Sequence, residues 1–383
     1  MAKAASKPTR AALDRGNFSH LIEALRKKGF RVIGPQVRDG AIVYDELDDA
    51  TQLPAGWTDE QSNGQYALKK RPDDALFGYT VPQHSWKQFL RPPHVTVWQG
   101  KREGLQPIAP NHDLPSYALL GVRACELRAI AIQDKVLLEG PYVDPGYAAM
   151  RKRTFIVALN CGKAGGTCFC ASMKTGPEVT GDFDLSLTEI VEKGKHRFVI
   201  ETGSKRGEEV LKEIPHREAT AEDLAAAERV VAEAEKQMGR KLNTDGLREV
   251  IYENSEHPRW DNVGSRCLTC GNCTMVCPTC FCTTMEDHTD LHGKTASRVK
   301  RWDSCFTLDF SYIHGGSIRT SAKSRYRQWL SHKLAAWQDQ FGEMGCTGCG
   351  RCITWCPVGI DITEEAAALR VKPAVKEPQH GNA

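Results

Sequence analysis

Two copies of one cysteine pattern constrain this chain more than any other feature of its sequence. Residues 267–278 read C-L-T-C-G-N-C-T-M-V-C-P, and residues 346–357 read C-T-G-C-G-R-C-I-T-W-C-P. Both follow C-x2-C-x2-C-x3-C-P, the spacing that wraps a cubane 4Fe–4S cluster. Two intervening residues let one tight loop present three thiolates to three irons. The fourth cysteine, followed by Pro, then points to the other cluster.

The pattern predicts that the two runs exchange their fourth ligand. One cluster is assigned to Cys267, Cys270, Cys273 and Cys356, and the other to Cys346, Cys349, Cys352 and Cys277. The alternative is zinc, since thiolate pairs at C-x-x-C spacing also form tetrahedral sites. A zinc site needs only two such pairs and has no use for a third cysteine at the same step with a trailing Cys-Pro. We therefore favour iron–sulfur clusters over zinc.

The length of the chain bounds the number of domains, and its charge gives information about possible partners. The chain has 383 residues, enough for two or three domains, and its 51 basic and 48 acidic residues nearly balance. This balance gives no reason to expect nucleic acid or an anionic membrane as a partner. A basic segment is read as a helix for partner docking or cluster shielding rather than for nucleic acid; its basic residues are Lys323, Arg325, Arg327, His332 and Lys333.

The cysteine content and the first residues favour a reducing compartment. No apolar run approaches the ~18 residues of a membrane helix, and the basic N-terminus lacks the apolar segment of a secretory signal. Fifteen cysteines in such a chain are read as reduced metal ligands rather than disulfides. We expect a cytoplasmic protein.

The expected fold class is α+β, with an α/β N-terminal and middle region followed by a C-terminal α-helical ferredoxin (dicluster) domain. Strand-like runs alternate with amphipathic helical segments up to about residue 204, and helical periodicity dominates afterwards. The predicted divisions are a flexible tail at 1–16, an α/β domain at 17–204, a helical bridge at 205–255, the dicluster domain at 256–370 and a tail at 371–383.

Four further cysteines are predicted to meet at one edge of the α/β sheet. Residues 117–122 and 154–159 read as buried strands joined by a helix, and Cys125 and Cys161 follow their carboxyl ends. Ligands of α/β sheets bind at these ends. Cys168 and Cys170 lie on the Gly-rich loop that follows, and we favour a third 4Fe–4S cluster on these four cysteines. The alternative is that Cys125 is a small buried residue and the loop is structural or binds zinc.

Three cysteines remain without an assignment: Cys280, Cys282 and Cys305. The T-C-F-C tetrad at 279–282 repeats the one at 167–170. It is either a second ligand-bearing loop, for which three thiols fall one short of a complete set, or a packing element whose thiols tune the nearby clusters. We favour packing, since neighbouring sulfur atoms and hydrogen-bond donors adjust metal sites.

The ordered cysteine motifs carry a resemblance to a known family. They are G-V-R-A-C at 121–125, N-C at 160–161, T-C-F-C at 167–170, C-P-T-C-F-C at 277–282, W-D-S-C at 302–305 and the terminal run. Over about residues 115–365 the chain resembles the iron–sulfur beta subunits of cytosolic bidirectional nickel–iron hydrogenases (sulfhydrogenases), with the A subunit of anaerobic sulfite reductase as a relative. The resemblance implies an electron-transfer role beside a flavin-containing NAD(P)H oxidoreductase subunit. The other implied partners are nickel–iron hydrogenase small and large subunits, or a sulfite reductase catalytic subunit.

Together these features predict an electron-transfer subunit of an oxidoreductase complex with no catalytic residue of its own. The chain contains no H-E-x-x-H, no G-x-G-x-x-G and no nucleophile elbow. Two alternatives stay open: the same relay serving anaerobic sulfite or sulfur reduction, and a zinc-stabilised scaffold or binding protein without redox function.

Overall fold

The computed structural model describes residues 8–101, 114–192 and 194–371, which form a large mixed sheet with helices on both faces and a cysteine-rich second layer. The strands within these ranges are β1, Arg10–Asp14; β2, Arg31–Arg38; β3, Ala41–Glu46; β4, Trp57–Ser62; β5, Gln65–Lys70; β6, His94–Lys101; β7, Tyr117–Arg123; β8, Phe155–Leu159; β9, Leu185–Glu192; β10, Lys195–Thr202; β11, Arg217–Glu218; β12, Thr283–Thr289; β13, Thr295–Trp302; β14, Tyr312–Ile313; and β15, Gly316–Ser317.

The helices in the same ranges are mostly short. They are α1, Phe18–Lys27; α2, Lys87–Leu90; α3, Ala124–Leu137; α4, Pro145–Arg153; α5, Lys205–Leu211; α6, Ala221–Lys236; α7, Leu247–Glu253; α8, Arg259–Arg266; α9, Asn272–Met275; α10, Ala322–Ser331; α11, Trp337–Phe341; α12, Arg351–Thr354; and α13, Ile362–Ala368. Single 3-10 turns occur at Arg15–Asn17, Ala50–Gln52 and Leu308–Ser311, and a π-helical segment at His332–Ala336 joins α10 to α11.

The main sheet has the order β11-β1-β10-β9-β8-β7-β2-β3. Its centre is parallel, since β8 pairs in parallel with both β7 and β9, and β7 pairs in parallel with β2. The two strands expected at 117–122 and 154–159 are therefore parallel neighbours, and Arg123 at the end of β7 lies opposite Leu159 at the end of β8. This geometry brings the residues after both strands to the same edge.

Apolar side chains cover both faces of the sheet. On one face α1 buries Phe18, Leu21 and Leu25 against strand residues such as Leu120 and Val157. On the other face α3 and α4 bury Leu127, Ile130 and Tyr147. Each buried large apolar side chain contributes roughly 1.5–3 kcal/mol to the stability of the fold. The packing on both faces therefore stabilises the sheet whose edge carries the cysteines.

The predicted N-terminal tail is wrong over residues 10–16. Residues 10–14 form β1, which pairs antiparallel with β10 and buries Ala11, Ala12 and Leu13. A three-residue apolar stretch is enough to join a sheet when its backbone groups find a partner strand. Residues 1–7, and residues 372–383 of the predicted C-terminal tail, lie outside the described residues.

Residues 205–255 are largely helical, as predicted, but they do not form a separate bridge. Helix α6 packs Ala226 and Ala227 against Ile190 and Val199 of the sheet. Helix α7, in contrast, buries its apolar residues in the core of the cysteine-rich layer.

The region 256–370 is less helical than predicted. Strands β12 and β13 form an antiparallel hairpin, and β13 pairs on its other side with β6, giving a three-stranded sheet. The hairpin turn is held by Asp290, whose carboxylate accepts hydrogen bonds from the backbone of Lys294 and Thr295. An Asp that bonds its own following backbone favours a turn over continued helix.

Candidate metal centres

The first cysteine run lies at the surface of the second layer. Helix α8 ends at Arg266, and Gly271, with φ of 73°, turns the chain into α9. A cavity of about 30 Å³ lies between Cys267, Cys270, Cys273 and Cys356, with Phe306, Tyr326 and Trp329 among its other walls. The neighbouring Leu268 side chain is 60% exposed, and Cys270 is exposed. This group therefore has a short path to solvent.

The second run repeats the same turn. Gly350, with φ of 78°, starts α12, and the Gly348 N–H donates to Cys346 Sγ at 3.5 Å. Cys277 from the first run lies beside this group, close enough to interact electrostatically with the thiols of Cys346, Cys349 and Cys352.

The structure thus places the fourth cysteine of each run beside the other run. Cys273 has Cys267, Cys356 and Cys270 as its neighbouring thiols. Cys356 also accepts a hydrogen bond from the Ile360 N–H at 3.3 Å, and Cys267 accepts one from the Thr269 N–H at 3.4 Å. Bonds of this kind to sulfur are typical of iron–sulfur sites. The ligand sets themselves stay predictions.

A third group of thiols forms at the carboxyl ends of β7 and β8. Cys125 lies in the first turn of α3, and Cys161 follows β8 by two residues. Cys170 is an electrostatic neighbour of Cys125, Cys161 and Cys168, so the four cysteines expected to meet do lie together. The backbone of Gly176 packs closely against this group, since a Cβ added to Gly176 would lie 3.2 Å from Cys170 Sγ.

The third group packs directly on the second. The Phe169 N–H donates to the Gly348 carbonyl at 2.9 Å, and a Cβ at Gly350 would lie 2.5 Å from the Thr167 carbonyl oxygen. Cys349 is in turn an electrostatic neighbour of Cys125 and Cys170. The three cysteine groups therefore form one continuous array.

Burial makes these thiols poor anions by themselves. Burial raises the pKa of Cys346 to about 12 and, likewise, the pKa of Cys168 to about 12. A buried thiolate requires a compensating positive charge, and bound iron supplies one. The donor set, the enclosed position and the backbone donors to sulfur all fit 4Fe–4S clusters.

Two buried arginines flank the third group, and the sequence did not single them out. Arg351 donates to Glu126 at 2.5 Å while its Nη1 has no hydrogen-bond partner in the described ranges. Arg123 donates from Nη2 to the carbonyls of Phe77 and Tyr79, and its guanidinium lies close enough to Cys161 to interact with that thiol electrostatically. Arg351 has Glu126 as its counter-charge, but no carboxylate in the described ranges forms an ion pair with Arg123. A buried cation needs counter-charge, so Arg123 favours a negatively charged occupant of the third group.

The structure divides the basic segment at 323–333 into a surface part and a buried end at Lys333. Lys323 and Arg327 are surface residues paired with Asp261 and Glu256, but Lys333 is buried, with its Nζ 3.1 Å from Cys277 Sγ. Hydrogen bonding from Cys280, together with this ammonium, holds the pKa of Cys277 well below its ordinary range. The π-helical segment places Lys333 inward, which helical periodicity did not indicate.

The comparisons with known proteins agree with this architecture. A family model described as a 4Fe-4S dicluster domain matches residues 266–360, so this layer is an iron–sulfur cluster domain. The chain is 33% identical over 350 residues to sulfhydrogenase 2 subunit beta of Pyrococcus furiosus, covering 90% of this chain and 93% of that protein. The chain belongs to the family of sulfhydrogenase beta subunits.

The described residues contain neither a single-ion metal site nor a membrane-spanning helix. No group of three or more His, Cys, Asp or Glu side chains in these ranges is arranged to hold a single metal ion. None of the helices in the described part of the chain combines the length and apolar character needed to cross a bilayer.

Proposed function

We propose that this chain relays electrons between a flavin-containing NAD(P)H oxidoreductase subunit and the small and large subunits of a nickel–iron hydrogenase, in the cytoplasm. The observation that carries the proposal is the continuous array of cysteine groups, joined by the exchange of Cys277 and Cys356 between the two runs. Family membership supports the partners, since the similar protein is by name a subunit of a sulfhydrogenase.

The proposed ligands follow the thiol neighbourhoods. Cys267, Cys270, Cys273 and Cys356 hold one cluster, Cys346, Cys349, Cys352 and Cys277 a second, and Cys125, Cys161, Cys168 and Cys170 a third. A bound 4Fe–4S cluster supplies one-electron redox chemistry at a potential set by charge, hydrogen bonds to sulfur and solvent exposure.

The surrounding residues control that potential. Aromatic side chains at Phe306, Tyr326 and Trp329 exclude water from the first group, although its rim at Cys270 stays open. Lys333 lies against the second group, and Arg123 and Arg351 lie against the third. Each cation favours the reduced, more negative form of a neighbouring cluster.

The first and third cysteine groups lie at different depths in the protein. The first group opens to the surface near Leu268, whereas the third group lies under the sheet edge behind Phe169 and Met238. One partner is expected to dock over Leu268 and Cys270, where an electron has the shortest path through protein.

Iron and acid-labile sulfide content of anaerobically purified protein, with EPR of the dithionite-reduced state, tests the proposal. Each four-cysteine group should contribute about four irons, and Cys161→Ser should remove about four without disturbing the signals of the other two clusters. An unchanged iron content in Cys161→Ser would remove the third cluster. Zinc without iron would overturn the relay.

Partner identity needs a separate experiment. The tagged chain, isolated anaerobically from its own cells, should bring with it flavin and nickel, each measured in the purified complex. A sirohaem-containing partner in place of nickel would instead assign the same relay to sulfite reduction.

A further inference from the structure

The three cysteines outside the proposed clusters come together in space. Cys280 and Cys282 precede β12, and Cys305 follows β13. The hairpin pairs Thr283 with Trp302 and so brings its two ends side by side. The Asp303 N–H donates to the Cys282 carbonyl at 2.9 Å, extending the pairing to the cysteines themselves.

Their thiols form a contiguous group. Cys282 and Cys305 face each other, and Cys280 interacts with both Cys277 and Cys282. Cys305 is also an electrostatic neighbour of Cys273. The group therefore lies against one proposed ligand from each of the two ferredoxin-type clusters.

Three buried cations surround these thiols. Lys87, Arg91 and Lys333 are only 6%, 5% and 4% exposed. Lys87 and Arg91 are four residues apart on the turn of α2, so one face of that turn presents both toward the loop at 277–282. Lys87 Nζ donates to the carbonyls of Cys277 and Cys280 at 3.1 Å, and Arg91 Nη2 donates to the Phe281 carbonyl at 2.6 Å.

Carbonyl oxygens accept from Lys87 and Arg91, whereas Lys333 Nζ donates to Cys277 Sγ and Thr279 Oγ1. The neutral oxygen acceptors do not neutralise these cations. Within the described residues no carboxylate forms an ion pair with any of the three, and the nearby Asp144 is paired with Lys300. Arg91 Nη1 is buried without a hydrogen-bond partner in the same ranges. Uncompensated buried charge is strongly unfavourable, so the site calls for more negative charge than Cys277 alone provides.

We propose that Cys280, Cys282 and Cys305 bind a further iron–sulfur cluster through three thiolates, with Lys87, Arg91 and Lys333 as its counter-charges. Cys277 is committed to the second run, so one corner of this cluster carries no protein thiolate. The cluster is of the three-iron type or of the four-iron type with one iron open to an external ligand.

Iron–sulfur fits this group better than zinc does. A structural zinc site takes four protein ligands converging on one ion. Among the described residues these three thiols do not converge in that way, and no His or carboxylate joins them. Thiolates bound to a cluster attach to separate irons, which a more widely spread group satisfies.

Because the three thiols lie beside Cys273 and Cys277, the proposed cluster would be an additional one-electron carrier next to both ferredoxin-type clusters. One electron leaves a neighbouring reduced cluster and reduces this one, and no proton or group needs to move. This role rests on the proposed relay, whereas the binding of iron by the three thiols does not.

The first test compares iron content in full-length variants purified anaerobically. Cys282→Ser and Cys305→Ser should each lower iron by about three to four per chain, and the double variant should lower it no further, because one cluster is lost in every case. Phe281→Leu changes the same loop without removing a thiol and should keep all its iron. Iron unchanged in both serine variants, or losses that add, would overturn the proposal.

The EPR signals of the dicluster separate this failure from failure of the relay. If those signals persist and the iron content of Cys282→Ser equals that of wild type, the further cluster is absent and the relay stands. If wild-type protein carries no iron, the relay itself fails.

A second test uses the unaltered protein and so does not depend on any variant folding. Under anaerobic conditions iodoacetamide should leave Cys280, Cys282 and Cys305 unmodified until iron is chelated, as judged by peptide mass spectrometry. Alkylation before chelation, or recovery of a Cys282–Cys305 disulfide peptide from the anaerobic protein, would contradict cluster binding.

Discussion

The ammonium of Lys333 lies 3.1 Å from Cys277 Sγ, and both side chains are buried. The charge of Lys333 should therefore act on the proposed second cluster with little screening by water. We expect Lys333→Met to lower the reduction potential of that cluster by roughly 50–100 mV, because one positive charge several ångströms away is removed. EPR-monitored redox titration measures the shift. Lys323→Met, at a half-buried surface lysine paired with Asp261, should leave the potential unchanged. Equal shifts in both variants would exclude a specific contact.

Gly350 of the second cysteine run packs closely against Thr167, next to the third cysteine group, and its substitution would disturb this contact. Its φ is 78°, and an added Cβ would lie 2.5 Å from the Thr167 carbonyl. We expect Gly350→Ala to destabilise the fold by roughly 3 kcal/mol or more and to lower iron retention, since backbone strain and a backbone clash combine. The control is Gly342→Ala, where φ is 72° but nothing lies within 4 Å of the added Cβ. It should cost only about 1–2 kcal/mol. Similar losses in urea unfolding would show that the contact with Thr167 is unimportant.

Arg351 and Glu126 form an ion pair that is almost fully buried. We expect Arg351→Met to destabilise the protein by about 3–5 kcal/mol, because the buried Glu126 would lose its cationic partner and keep only the neutral donors Tyr44 and Trp86. Adding Glu126→Gln should recover a large part of that loss. A double-mutant cycle in urea measures the coupling, and strictly additive effects would mean that the pair does not interact in solution.

Asp223 ties the start of α6 to the sheet. It bonds Arg197 and Arg217 and completes a capping box with Thr220. Hydrogen bonding from Arg217 in particular lowers its pKa well below the ordinary carboxyl range. Because the folded-state pKa is depressed, its contribution is fully present above the unfolded pKa near ~4 and is lost only as pH falls below that value.

We therefore expect Asp223→Asn to cost about 3 kcal/mol, by an amount that does not change between about pH 8 and about pH 5. Asp261→Asn removes an exposed carboxylate paired with Lys323 and should cost at most about 1 kcal/mol. Urea unfolding at several pH values compares the two. A penalty for Asp223→Asn that shrinks toward pH 5 would contradict the assigned protonation.

The sequence indicated which cysteines lie close together because spacing is local within each run and strand ends are recognisable from periodicity, while the ligand sets stay predictions. Spacing alone placed Cys267, Cys270 and Cys273 on one loop, and strand periodicity placed Cys125 and Cys161 at the same sheet edge. The pairing of β13 with β6 could not be predicted, since it joins segments far apart in the chain and depends on backbone groups rather than on a motif. The inward direction of Lys333 could not be predicted either, because it depends on a π-helical segment.

The pairing of β13 with β6 has a consequence for how the chain can be divided. A fragment beginning at residue 256 would keep both cysteine runs, yet it would lose β6 and expose the edge of β13. It would also lose Lys87 and Arg91, which anchor the loop at 277–282 from α2. The part of the chain that matches the dicluster family model is therefore not an excisable module, because its scaffold is completed by residues 87–101, which ribosomes synthesise long before Cys267.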